Sequence, residues 1–111
     1  MRDAAAALIW CPFPDRESAR QVSSILLDEN LIACANIVGE SEAIFTWNGE
    51  RSIENEIGVL FKTTQSNCKD LVQRLGECHP YDTPAIIGWS CENTHPSTAA
   101  WLFEQTKSKR T

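Results

Sequence analysis

The sequence predicts an α+β fold: a ferredoxin-like β-α-β-β-α-β sandwich with an additional C-terminal helix. Three observations carry that expectation. Segments of strand and helix period alternate in this order along the chain. Asn48-Gly49 lies between two long strand-like runs and marks a hairpin. Two split βαβ units with right-handed crossovers then give a four-stranded antiparallel sheet with both main helices on one face. The 111 residues hold no internal repeat and no linker-like run, so residues 1–111 read as one domain.

Each element has its own signal. Ala4 to Cys11 is short and continuously apolar, as a strand buried on both faces would be, and Pro12 and Pro14 are expected to stop it. Asp15 then offers a helix cap, and Ala19, Val22, Ile25, Leu26 and Leu31 recur at helical spacing. From Ile32 the period changes: Ala33, Cys34, Ala35, Ile37 and Val38 read as a buried strand. Gly39 permits a bulge before Ala43 to Trp47 resumes it. The return strand places Ile57, Val59 and Phe61 on one face and Glu54, Glu56 and Lys62 on the other. Its ribbon, about 15 residues per arm, exceeds the usual strand length and needs cover at its far end.

Gln65 and Ser66 are the expected caps of a second helix, whose apolar stripe is Cys68, Leu71, Val72, Leu75 and Cys78. The run His79-Pro80-Tyr81-Asp82-Thr83-Pro84 forces a non-helical connection. Ala85 to Cys91 reads as the fourth strand, and Pro96 to Thr106 as a helix with Pro in its first turn. One sheet face stays bare in this arrangement. Ile44, Phe45, Trp47 and Trp89 supply more apolar surface than one helical layer covers, so self-association is expected.

Fifteen acidic against ten basic residues give a net charge of −5. That balance argues against nucleic acid or an anionic membrane as partner, because phosphate binding needs clustered Lys and Arg. Lys107, Lys109 and Arg110 form the single basic cluster and read as a solvated terminus. The run Ala4 to Trp10 fits neither a secretory leader nor a bilayer span. Five cysteines, an odd number, do not make a complete disulfide framework and suit a reducing cytoplasm.

Two loops gather the residues with chemistry. Cys11 ends the first strand, and Cys78-His79 ends the second helix; a ferredoxin-like sheet brings these ends close together. Soft sulfur beside imidazole suits copper(I) or zinc. The opposing reading is structural: Cys11 fills a strand end, Cys78 completes the helix stripe, and His79 caps the last carbonyls. Cys34, Cys68 and Cys91 read as inert thiols, and His95 as solvated. Glu54 and Glu56 share a strand face, either as a wet surface or as paired carboxylates; Glu56 gains interest if it approaches Tyr81 or His79 from a neighbouring chain. A Cys-His nucleophile lacks orienting and oxyanion groups, apart from Asp82, so no catalysis is expected. GxGxxG, GxxxxGK[ST] and HExxH are absent from the sequence. Pro12-Phe13-Pro14 stands where an acylphosphatase needs a phosphate-cradling arginine, and the acidic third strand does not suit an RNA-recognition surface.

Taken together, Leu31-Ile32-Ala33-Cys34-Ala35-Asn36-Ile37, Phe45-Thr46-Trp47-Asn48-Gly49-Glu50, Glu56, Lys62-Thr63-Thr64, His79-Pro80-Tyr81-Asp82-Thr83-Pro84 and Trp101-Leu102 resemble the CutA family of divalent-cation tolerance proteins. The resemblance spans nearly the whole chain. It implies a cytoplasmic homotrimer of PII-like outline, with long hairpins packed on neighbouring subunits, and tolerance of divalent metals, chiefly copper, with no established enzymatic activity. It also implies that Cys11 and His79 match residues of copper-binding members, with Cys78 in place of a second histidine, so that Cys11, Cys78 and His79 are the metal candidates. Glu56 and Tyr81 match positions near an inter-subunit cleft. Ala85 replaces the glutamate usual after that motif. The alternative function is a PII-like regulatory trimer whose clefts take a small ligand or a protein partner.

Overall fold

The computed structural model describes residues 5–107; the expected strand start at Ala4 and the basic residues Lys109 and Arg110 lie outside that range. The first strand, β1, runs Ala6–Phe13, and helix α1 follows at Arg16–Asp28. Strands β2 (Cys34–Trp47) and β3 (Glu50–Thr64) form the ribbon. Helix α2 (Cys68–Cys78), strand β4 (Ile87–Cys91) and helix α3 (Pro96–Thr106) complete the chain. The antiparallel sheet has the order β2-β3-β1-β4, the ferredoxin-like arrangement.

Local chemistry explains most boundaries. Asp15 caps α1 by accepting from the Ser18 N–H at 2.7 Å. The helix ends in a Schellman motif: the Leu31 N–H donates to Leu26 O, the Asn30 N–H donates to Leu27 O, and Asn30 takes φ 60°. Leu31 therefore sits just past the helix rather than on its stripe. Asn48 (φ 52°) and Gly49 (φ 81°) make the expected primed turn, and a bulge between Ile37 and Gly39 leaves Val38 unpaired.

Two boundaries differ from expectation. Pro12 does not end β1; it pairs with Gly58, and Phe13 pairs with Ile57. In an antiparallel ladder a residue's N and C=O face the same edge. The Pro12 carbonyl is taken by His79, so its missing N–H falls on an edge where β3 needs no donor. Gln65 and Ser66 are not caps of α2. They lie in a short 3₁₀ turn, where Ser66 Oγ meets Thr64 Oγ1.

Pleat parity divides the sheet. Ile9, Cys11 and Phe13 of β1 share a face with Val59 and Phe61 of β3. Val22 and Leu26 of α1 and Leu71 and Leu75 of α2 seal that layer. On the opposite face Leu8, Trp10, Leu60, Ile87 and Trp89 line up by register. There α3 covers one end only, packing Leu102 on Ala6, Ala33 and Cys91. Ile87 is left 61% exposed and Trp89 46%. The ribbon runs past the core, stretching the molecule to 47 × 28 × 22 Å.

Candidate functional site

His79 directly follows α2, and Pro80 holds its backbone extended (φ −73°, ψ 143°). The ring turns inward beneath the end of β1. It stacks on Phe13 with centroids 4.4 Å apart. Its Nδ1 accepts from the Tyr81 N–H at 3.0 Å, so the proton belongs on Nε2, which meets Pro12 O at 2.8 Å. The imidazole is neutral and doubly engaged. Burial pushes its pKa below the usual histidine value, against smaller upward pulls from the Pro12 carbonyl and Glu56.

Tyr81 continues the chain of contacts. Its ring lies 4.9 Å from that of His79, and its Oη donates to Glu56 Oε2 at 2.9 Å. Glu56 sits mid-strand in β3, paired with Ser41. Burial first, then the bond to Glu56 and the nearby carboxylates, pushes the Tyr81 phenol up to about 12. The phenol is thus a dedicated donor to Glu56.

Above this pair opens a cleft of about 680 Å³ between the ribbon and the loop after α2. Phe45 and Trp47 of β2, Glu54 and Glu56 of β3, and Tyr81 and Asp82 of the loop line it. Ala85 lies on its wall, so the glutamate usual at that position adds no charge here. Phe45 and Trp47 were not among the expected site residues, and Glu54 was weighed only as a partner carboxylate of Glu56. Their signal was available in the sequence: the Asn48-Gly49 turn fixes the register, which puts Ala43, Phe45 and Trp47 opposite Glu54, Ser52 and Glu50, on the face of Glu56.

The fold brings Cys11, Cys78 and His79 to one end of the sheet, without making them a preformed metal centre. Cys11 is fully buried; burial, then Cys78 and Glu56, pushes its thiol up to about 12. Burial also raises Cys78, with Arg74 pulling the other way. A metal takes the thiolate and a free ring nitrogen. Here the thiols hold their protons and both His79 nitrogens have partners. Among the described residues, no group of three or more His, Cys, Asp or Glu is arranged to hold a metal ion. The donor set does not fit copper or zinc as it stands.

The family model for the CutA1 divalent ion tolerance protein matches residues 7–105. The chain belongs to the CutA1 family. The divalent-cation tolerance protein CutA of Pyrococcus horikoshii is 40% identical over 100 residues, covering 90% of this chain and 97% of that one. The crystal structure of the CutA1 divalent ion tolerance protein of Ehrlichia chaffeensis superposes with a TM-score of 0.88 at 32% identity, covering 93% and 96% of the two chains. A CutA of Archaeoglobus fulgidus described as periplasmic shares the fold, at TM-score 0.87 and 24% identity over 92% and 99%. The CutA1 match thus runs from within β1 to within α3 and takes in every residue of the cleft. Relatives of this family do not all carry the expected cytoplasmic placement, since the Archaeoglobus protein is described otherwise. Among the described residues no helix is long and apolar enough to cross a membrane.

Proposed function

We propose that this CutA1-family chain serves divalent-cation tolerance as a cytoplasmic homotrimer of PII-like outline whose working site is the Glu56–Tyr81 cleft, completed by a neighbouring subunit. The observation that carries this reading is the continuous run of contacts from Pro12 O through His79 and Tyr81 to Glu56 at the wall of that cleft. Four groups from three separate chain segments hold one another there. The unclosed face with Ile87 and Trp89, and the overhanging ribbon with Ile44 and Ile53 on the face away from the cleft, support self-assembly. Five free thiols suit a reducing compartment. The role read for this site is binding.

Copper or zinc at Cys11, Cys78 and His79 is the second reading. It is favoured by one observation: Cys78 lies near enough to Cys11 to raise its thiol, at the same end of the sheet as His79. Binding there requires the His79 ring to leave Pro12 O or Tyr81 N–H and both thiols to lose protons, which makes any such site induced rather than resident.

Complementation separates the two. A strain lacking its own CutA protein, challenged with copper, is rescued with the wild-type chain, Glu56→Gln, or a Cys11→Ala/Cys78→Ala double variant. The cleft reading expects rescue by the double cysteine variant and failure of Glu56→Gln. The reverse pattern overturns it in favour of the thiol site. Static light scattering of the purified wild type is expected at three chain masses.

A further inference from the structure

Two kinds of side chain meet in the cleft. Phe45, Trp47 and Tyr81 present aromatic surface, and Glu54, Glu56 and Asp82 present carboxylates. Its lining among the described residues contains no Lys, Arg or His. An anionic ligand such as a nucleotide or a dicarboxylate would face three carboxylates and no counter-charge from this chain, which weighs against that class. A bare divalent cation is also a poor occupant. It needs about six oxygen ligands at short range, and the described residues place no three metal-ligating side chains together. What remains is a cation with an apolar body.

The spacing narrows the choice. Glu54 and Glu56 lie two residues apart on one strand face, hence about 7 Å apart along β3 at the usual rise per residue. Asp82 stands on the facing loop. Tyr81 Oη binds only Oε2 of Glu56, which leaves Oε1 free to accept from a ligand. Phe45 and Trp47 share that strand-pair face, displaced toward the ribbon tip. A chain with ammonium groups separated by short methylene runs satisfies all of these together. Its charges pair with successive carboxylates, its methylenes lie on the indole and phenyl faces, and an ammonium over Trp47 gains a cation–π contact.

We propose that the cleft is a binding site for an aliphatic di- or polyamine, held by Glu54, Glu56 and Asp82 and flanked by Phe45, Trp47 and Tyr81. The proposal rests on the cleft being the working site and adds the chemical class of its ligand. Tyr81 acts as a positioning residue: its donated hydrogen bond fixes the Glu56 carboxylate so that the second oxygen faces the cleft.

Calorimetric titration of the whole protein with spermidine, at low and constant ionic strength, tests it. Saturable binding is expected, with quenching or a shift of tryptophan emission that is lost in Trp47→Phe and kept in Trp89→Phe. Glu54→Gln and Glu56→Gln are each expected to weaken binding about tenfold, and Trp47→Ala about fivefold. Magnesium at matched ionic strength is expected not to displace the amine. Affinity unchanged in Glu54→Gln and Trp47→Ala, or full displacement by magnesium, overturns the proposal. So does an absence of binding to wild type, which includes the case of a neighbouring subunit filling the cleft. Complementation by Glu56→Gln keeps the two readings distinct: absent spermidine binding with failed rescue retires the amine but keeps the cleft, whereas successful rescue retires the cleft itself. Circular dichroism of each variant confirms that the fold is retained.

Discussion

Tyr81 Oη donates to Glu56 Oε2 at 2.9 Å, tying the loop after α2 to the middle of β3 across 25 positions of sequence. This bond, with the His79 contacts beside it, decides where the loop lies over the cleft. Tyr81→Phe keeps the ring and its packing near His79 but removes the donor. The expected loss in urea unfolding is about 1 kcal/mol, the net worth of such a bond. Glu56→Gln keeps an acceptor for Tyr81, so its stability is expected within about 0.5 kcal/mol of wild type. A larger loss in Glu56→Gln than in Tyr81→Phe would show that the carboxylate charge, not the hydrogen bond, holds the loop.

His79 gives the fold an acid-sensitive point. Its folded pKa is depressed, chiefly by burial, below the unfolded value of 6.5. As pH falls through 6.5 the unfolded chain takes a proton that the folded ring resists, so stability is present above that value and declines below it. Protonation also puts a proton on Nδ1 against the Tyr81 N–H, cutting the loop's anchor. Unfolding free energy measured from neutral to mildly acid pH is expected to fall in wild type and to lose that component in His79→Gln. Equal slopes in both proteins would assign the acid sensitivity to other groups.

The sequence made the fold legible because its signals were local and mutually consistent. Asp15, Asn48-Gly49, Gly39 and Pro96 each sit at the boundary they announce. It misplaced the end of β1, because Pro12 is tolerated through a contact with His79 that lies 67 residues away. The site was half legible. Glu56, Tyr81 and His79 stood out through resemblance, yet their partnership depends on how the loop folds back over β1. The metal reading of Cys11 rested on its strand-end place near Cys78-His79 and on the resemblance. Burial, which the sequence hinted at only through its place in an apolar run, keeps that thiol protonated in this conformation.

Cys11 is expected to be chemically silent in the native protein. Its thiol is fully buried and pushed up to about 12, so at about pH 8 only roughly one molecule in ten thousand carries the thiolate. Mass spectrometry after brief alkylation should find Cys34, partly exposed, modified and Cys11 untouched. Denaturant should open Cys11 to the reagent. Its raised folded value also means that the stability it contributes is full below 9 and is lost as pH rises toward about 12. Alkylation of native Cys11 at a rate matching Cys34 would contradict the buried placement.

Gly58 is required by Trp10. A Cβ at that position would come within 2.2 Å of the indole edge, with two further ring carbons at 2.9 and 3.0 Å. The ring lies across the strand pair on the face away from α1 and α2, and it must swing off for any larger residue to enter. Gly58→Ala is expected to cost about 1–3 kcal/mol, the usual range for overpacking, and to change Trp10 fluorescence. Combining it with Trp10→Leu, which removes the obstructing ring, should recover part of that loss. No recovery in the double variant would place the strain in the backbone.

Ile44 and Ile53 face each other across the ribbon, and each is 62% exposed. A lysine at either position loses little that the single chain holds, because so little of each side chain is buried within it. Their cost as exposed apolar residues is offset only if another copy covers them. Ile44→Lys/Ile53→Lys is therefore expected to leave the fold, and the secondary structure seen by circular dichroism, intact. Its measured mass should fall from the three chains proposed above toward one, because burying two ammonium groups without partners is costly. Trp89→Lys probes the unclosed sheet face in the same way. A ribbon variant that stays trimeric while Trp89→Lys dissociates would move the assembly contact from the ribbon to that face. Both variants remaining trimeric would overturn the assignment of either surface to the interface.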